Sequence, residues 1–122
     1  GLGAALNYLS ALDRSAIAAH ESALLAHASE ELSKLAGVRL FGRAPDKGAL
    51  VTFEVDGAHP HDVSTLLDHA GVAVRAGTHC AQPLMERLGI TASTRASFAL
   101  YNTHEEVETL VRRVREVLEF FQ

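Results

Sequence analysis

The spacing of apolar residues changes along this chain, and that change constrains the fold more than any other sequence feature. Residues 50–56 and 94–101 alternate apolar with polar side chains, which predicts a half-buried strand in each stretch. Residues 13–36, 60–71 and 103–121 instead repeat apolar side chains every three or four positions, the spacing of an amphipathic helix. The sequence therefore predicts helices that lay their apolar stripes on a sheet.

Shorter elements complete the predicted order. Residues 4–12 favour a further helix, residues 38–41 and 72–75 favour strands, and residues 84–88 favour a short helix. The strand at 38–41 is expected to pair antiparallel with residues 50–56, because turn-forming Pro, Asp and Gly residues lie between them. The order α-β-β-α-β-(α)-β-α predicts the α+β class, with a small, mostly antiparallel sheet packed against helices.

The length of 122 residues is most simply explained by a single domain, residues 1–122. We divide it into a helical lead-in, residues 1–36, and an α+β core, residues 37–122. The last helix of this core is expected to begin after Thr103. Thr103 and Glu106 have the spacing of a capping box, in which a hydroxyl and a carboxylate satisfy the first free amide groups of a helix.

Charge and cysteine content exclude several classes of function. The formal net charge of −4 gives no basic surface, so we expect no nucleic-acid partner. No apolar run is long enough to cross a bilayer, and the first residues do not form a signal-peptide pattern. A single cysteine cannot form an intramolecular disulfide, which fits a reducing compartment. The expected location is the cytoplasm, without a membrane partner.

The only cysteine, Cys80, lies in a loop between the strand at 72–75 and a short helix. Gly77 allows the chain to leave the strand sharply, and Pro83 suits the first turn of the helix. Arg75 and His79 lie close by in sequence, and cations near a helix N-terminus favour the nucleophilic thiolate. The alternative is a small buried apolar side chain, as free cysteine often is. The polar neighbours argue against full burial, but local chemistry leaves both interpretations open.

Arg95 also has two interpretations. It lies on the polar side of the strand predicted at 94–101, where it could be a solvated arginine of an edge strand. Alternatively, its planar guanidinium could bind a carboxylate through two parallel hydrogen bonds, a geometry that arginine provides and lysine does not.

Cofactor and metal anchors are not evident from the residues. Lys34 lies near a helix end and Lys47 in a turn, and neither has the desolvating neighbours that activate a lysine for Schiff-base chemistry. Seven histidines are present, but none has the spacing that is typical of zinc ligands. We therefore expect no metal site, and the cofactor-binding residues are unknown at this stage.

Two motifs carry a resemblance to a known family: RAGTHCAQPLM at residues 75–85 and TRASFALYNTHEEV at residues 94–107. They resemble the C-terminal part of SUF-type cysteine desulfurases, also called selenocysteine lyase-like enzymes, in the class V aminotransferase group. The resemblance covers essentially the whole chain, and residues 1–12 resemble the helix that leads from the large domain into the small one. It implies the fold of the C-terminal domain of fold-type I transferases, which depend on pyridoxal phosphate (PLP).

The resemblance implies a role for each candidate residue. Cys80 would attack the sulfur of the substrate cysteine and carry it away as a persulfide, leaving L-alanine. Arg95 would bind the substrate α-carboxylate. Arg75 and His79 would line the same site as substrate-binding residues, and His79 would either steady the thiolate or assist proton transfer.

The resemblance also implies cofactors and partners. The full-length enzyme would use PLP, act on L-cysteine or selenocysteine, form a homodimer, and pass sulfur to a SufE- or SufU-like acceptor for iron–sulfur cluster assembly. The family's PLP lysine lies upstream of the matching region, so this chain alone is expected to bind no PLP stably and to be inactive. The alternative from another class is a free-standing α+β module that carries a thiol or senses a ligand without PLP chemistry.

Overall fold

The computed structural model describes all residues, 1–122, as five helices and four strands. In chain order these are α1 (Leu2–Ser10), α2 (Arg14–Ser33), β1 (Val38–Phe41), β2 (Leu50–Val55), α3 (Pro60–His69), β3 (Arg75–Gly77), α4 (Gln82–Leu88), β4 (Ser93–Ser97) and α5 (His104–Phe121). None of these helices is both long enough and apolar enough to span a bilayer.

The four strands form one sheet in the order β1-β2-β4-β3, and every neighbouring pair is antiparallel. The predicted pairing of β1 with β2 is confirmed, with Val38 opposite Val55. Strand β4 lies inside the sheet, because it pairs with β2 on one side and β3 on the other. Helices and an antiparallel sheet in this arrangement confirm the predicted α+β class.

The core lies between one face of the sheet and helices α2, α3 and α5. Strand β2 contributes Val51, Phe53 and Val55, the three residues that the alternating pattern selects, and Phe53 is completely buried. Burying a side chain of this kind stabilises the fold by about 1.5–3 kcal/mol relative to leaving it in water. The helices add Leu24, Ala28 and Leu32 of α2, Val63 and Leu67 of α3, and Val107, Leu110, Val111, Val114, Val117 and Leu118 of α5.

Side chains cap the first turns of α5 and α2. Thr103 accepts a hydrogen bond from the Glu106 amide, and Glu106 accepts one from the Thr103 amide. This confirms the predicted capping box of α5. Asp13 caps α2 by accepting hydrogen bonds from the amides of Ser15 and Ala16.

Helix α1 differs from the other long helices because none of its residues is buried. Its large apolar side chains are exposed, namely Leu2, Leu6, Tyr8 and Leu9. Helix α1 therefore contributes little to the core that α2, α3 and α5 share with the sheet.

Several predicted boundaries are wrong. Strand β3 begins at Arg75 instead of residue 72, and β4 ends at Ser97 instead of residue 101. Pairing of β3 with β4 is limited to Arg75–Gly77, and residues 71–74 and 96–98 instead line a cavity of about 260 Å³. Beyond β4 the Ala99 amide donates to Asn102 Oδ1, which turns the chain toward α5. Helix α4 begins at Gln82, two residues before the predicted start, with Pro83 in its first turn.

Candidate functional site

The Cys80 loop is a sharp turn between β3 and α4. Gly77 leaves β3 with a φ of +128°, and His79 and Cys80 follow with φ values of +56° and +59°. Two successive non-glycine residues in the left-handed region are uncommon, and each such residue costs about 1 kcal/mol or more. The surrounding contacts must compensate for this strain.

Cys80 is exposed, so the prediction that its polar neighbours prevent burial is confirmed. Arg75 Nη2 donates to Cys80 Sγ at 3.7 Å, within the range of hydrogen bonds to sulfur. A guanidinium at this distance places a positive charge beside the sulfur, and the thiolate is the nucleophilic form of cysteine. The exposure of Cys80 excludes the second interpretation, a small buried apolar side chain.

Arg75 and Arg95 lie directly opposite each other on β3 and β4. They share the sheet face that points away from the core helices, because Thr94 and Ala96 point toward the core. Like charges at opposed positions of a sheet repel each other, and neither arginine forms an ion pair with a carboxylate of this chain. The pair therefore produces a concentrated positive charge that an anion would neutralise.

The environment of Arg95 excludes a solvated arginine on an edge strand. Strand β4 is internal, and Arg95 Nε is buried with no hydrogen-bond partner. Leaving a buried donor unpaired costs about 1–3 kcal/mol. An incoming carboxylate or another anion would remove that cost, which is the behaviour expected of a binding residue.

His79 is half-buried above the first residue of β4. Its Nε2 atom lies 3.2 Å from the Ser93 carbonyl oxygen and 3.1 Å from Ser93 Oγ. Its Nδ1 atom is buried without a partner. Desolvation lowers the pKa of His79 below its ordinary value, and the positive charges of Arg95 and Arg75 lower it further, while the Ser93 carbonyl raises it. The net effect favours neutral imidazole at neutral pH.

Ser93 belongs to this site although no sequence signal selected it. It is completely buried, it lies opposite Gly77 across the β3–β4 pair, and its hydroxyl donates to Met85 Sδ at 3.9 Å. The predicted strand began at residue 94, so Ser93 fell outside every predicted element. The register of β3 on β4 places it under His79, and only long-range pairing could reveal that.

The two lysines lie outside the Cys80 site. Lys34 forms ion pairs with Glu30 and Glu31. Lys47 lies just before β2, at the end of the sheet where Leu50 pairs with Ser97. Cys80 lies at the opposite end, because it follows Gly77, which pairs with Ser93.

The prediction that neither lysine has desolvating neighbours is wrong for Lys47. Burial lowers its pKa, and its Nζ donates to the Gly42 carbonyl at 2.7 Å. Lys47 also borders a cavity of about 510 Å³ that none of the four predicted site residues lines. No group of three or more metal-ligating side chains is close enough to hold an ion.

The structure thus brings together the predicted site residues. Cys80 contacts Arg75, Arg75 lies opposite Arg95, and His79 rests on Ser93, two residues before Arg95. Residues 1–110 match the family described as aminotransferase class-V, a region that includes the whole site. The chain belongs to the class-V aminotransferase family.

Sequence relatives of this family member are named as cysteine desulfurases. The chain is 52% identical over 121 residues to a probable cysteine desulfurase of Xylella fastidiosa, and the match covers 97% of the chain and 29% of the relative. It is 46% identical over 117 residues to a cysteine desulfurase of Synechococcus elongatus, covering 96% of the chain and 19% of the relative. The chain therefore spans less than a third of the length of these curated relatives.

A solved structure agrees with the sequence relatives. The cysteine desulfurase CsdA of Escherichia coli superposes with a TM-score of 0.92 at 41% identity, over 99% of this chain and 30% of that one. This similarity confirms the expected fold of a fold-type I transferase domain.

Proposed function

We propose that this chain is the part of a PLP-dependent cysteine desulfurase that carries the sulfur-accepting cysteine. The observation that carries the proposal is the exposed Cys80 thiol with a guanidinium 3.7 Å from its sulfur, beside a second arginine. An accessible thiolate is the nucleophile that sulfur transfer requires. The names of the relatives support the same activity, since they are cysteine desulfurases over nearly the whole length of this chain.

Arg95 is assigned to the α-carboxylate of the substrate. Its half-buried guanidinium has a buried Nε that lacks a partner, and a carboxylate could accept from Nε and one terminal nitrogen in parallel. Arg75 is assigned to the sulfur side of the site, because its terminal nitrogen already contacts Cys80 Sγ. The substrate would then lie with its carboxylate at Arg95 and its sulfur toward Cys80.

Sulfur transfer to Cys80 breaks the carbon–sulfur bond of L-cysteine and forms a sulfur–sulfur bond, which leaves a persulfide on Cys80 and L-alanine as the other product. The electron pair released on carbon needs an acceptor, and we assign that role to PLP, which supplies an electron sink when it is bound. Lys34 is occupied by glutamates and Lys47 lies at the other end of the sheet. These lysines do not fit a Schiff base beside Cys80, so we assign no PLP contact to this chain.

The partners follow from the same proposal. The substrate is L-cysteine or selenocysteine, and the persulfide passes to a SufE- or SufU-like acceptor for iron–sulfur cluster assembly in a homodimeric full-length enzyme. The exposure of Cys80 supports this transfer, because an acceptor protein must reach the sulfur. The proposed location is the cytoplasm, where reducing conditions keep a lone thiol free. No contact in the fold favours the alternative of a thiol carrier without PLP chemistry.

The test uses the full-length enzyme with the substitution Cys80→Ser. We expect loss of persulfide formation and of sulfur delivery, while cysteine still perturbs the PLP absorbance because Arg95 is intact. Cys80 is the only cysteine in residues 1–122, so a peptide one sulfur atom heavier locates the persulfide without ambiguity. Sulfur delivery at the normal rate by Cys80→Ser would refute the assignment.

A further inference from the structure

The hydroxyl of Ser93 lies between two side chains of the Cys80 loop and α4. Ser93 is completely buried, and its Oγ is 3.1 Å from His79 Nε2 and 3.9 Å from Met85 Sδ. The roles assigned to Cys80, Arg75 and Arg95 do not involve it. Because this buried hydroxyl contacts His79, the residue before Cys80, it is in a position to determine which nitrogen of His79 carries the hydrogen.

The contacts of His79 distinguish its two neutral tautomers. Nε2 lies 3.2 Å from the Ser93 carbonyl oxygen, which can only accept a hydrogen bond. A hydrogen on Nε2 is shared by this carbonyl and Ser93 Oγ, whose own hydrogen points to Met85 Sδ. A lone pair on Nε2 would instead face the lone pairs of the carbonyl. The contacts therefore favour the tautomer that carries its hydrogen on Nε2.

The other ring nitrogen supports the same tautomer. Nδ1 is buried and has no partner. A hydrogen on Nδ1 would be a buried, unsatisfied donor, which is rarer and more costly in folded proteins than an under-used acceptor. The imidazolium would carry that same hydrogen and a positive charge as well, and desolvation, Arg95 and Arg75 all oppose this charge by lowering the pKa of His79.

We propose that Ser93 is a positioning residue that holds His79 as the neutral tautomer protonated at Nε2, leaving Nδ1 as a buried acceptor in the residue before Cys80. A neutral His79 provides no positive charge that could stabilise the thiolate. The cation at the sulfur is Arg75 alone. The part that His79 plays in sulfur transfer rests on the proposed function, whereas its tautomer is a property of the resting chain.

The tautomer is measured directly by ¹⁵N NMR of the histidine-labelled 122-residue chain at pH 7. His79→Gln identifies the resonances that belong to His79 among the seven histidines. We expect a pyridine-like shift at Nδ1 and a pyrrole-like shift at Nε2. A protonated Nδ1, in either the other tautomer or the imidazolium, would overturn the proposal, and this measurement needs no variant of Ser93 to fold.

The contribution of Ser93 is measured by Ser93→Ala, with Ser93→Thr as the control that retains a hydroxyl. Ser93→Ala keeps the carbonyl but removes the hydroxyl, so we expect the two ¹⁵N shifts of His79 to move toward each other as the tautomers mix. Ser93→Thr should restore the wild-type shifts. Identical shifts in wild type and a folded Ser93→Ala, checked by circular dichroism, would show that the hydroxyl does not position His79.

The charge of His79 has an independent kinetic readout in the rate of Cys80 alkylation. His79→Gln should change that rate at pH 7 by less than about twofold, because a neutral imidazole provides no unit charge. A loss as large as that caused by Arg75→Gln would identify a cationic His79 and contradict the proposal. Neither readout depends on desulfurase activity, so failure of the proposed function would be seen separately, in the persulfide assay.

Discussion

Replacing Arg75 by glutamine tests how much the guanidinium stabilises a negative charge on Cys80. For unit charges 3.7 Å apart, Coulomb's law gives about 1 kcal/mol in water. We use the dielectric constant of water because Cys80 and Arg75 are both exposed. A loss of about 1 kcal/mol in the stabilisation of the negative charge on the reacting sulfur corresponds to a roughly fivefold slower reaction of Cys80.

The assay is the rate of Cys80 alkylation by iodoacetamide as a function of pH, in low salt and in high salt. Cys80 is the only thiol of the chain, so the rate reports on this residue alone. Arg75→Gln should slow alkylation about fivefold at low ionic strength, and the difference should shrink in 1 M salt, where the Debye length is about 3 Å.

The matched control is Arg43→Gln, which removes the same charge from an exposed position outside the Cys80 site. It should leave the alkylation rate unchanged, which separates the local contact from the net charge of the chain. Equal alkylation rates for wild type and Arg75→Gln at low salt would show that the guanidinium does not stabilise the thiolate.

The remaining predictions concern stability and are measured by urea denaturation. Phe53→Ala should lower the free energy of unfolding by about 3–5 kcal/mol because Phe53 is completely buried, while Phe120→Ala, at a position 72% exposed, should change it by less than about 0.5 kcal/mol. Thr103→Ala should cost about 1 kcal/mol by removing the cap of α5, and a cost near zero would contradict the capping box. Hydrogen bonds from Asn102 and from the Thr103 amide lower the pKa of Glu106 below 4.5. The contribution of Glu106 to the free energy of unfolding is therefore present above pH 4.5 and is lost as the pH falls through the lowered pKa. Glu106→Gln should flatten the dependence of the free energy of unfolding on pH in that range. Gly77→Ala should cost about 1 kcal/mol or more because of its φ of +128°, and no loss would show that the loop relaxes.

Sequence patterns determined the features that depend only on residues close together along the chain. The alternation around Phe53 and the helical spacing from Val107 to Leu118 identified the core, because each pattern reports which side of its own element is apolar. Thr103 and Glu106 located the start of α5 because a capping box closes within four residues. The turn at Gly77 and Pro83 located the Cys80 loop for the same local reason.

The tertiary structure alone decided which residues meet across the sheet. The register of β3 on β4 places Arg75 opposite Arg95 and Gly77 opposite Ser93, and no local pattern encodes a pairing between segments that are separated along the chain. The order of the strands also showed that Arg95 does not lie on an edge strand, which the local sequence could not reveal for the same reason. Periodicity assigns a side chain to one face of its strand, whereas the order of strands and their register depend on contacts that form only when the whole core packs. The sequence therefore determined that Cys80 lies in a turn, and the packed structure decided that the thiol is exposed and which charged groups and hydroxyl lie near it.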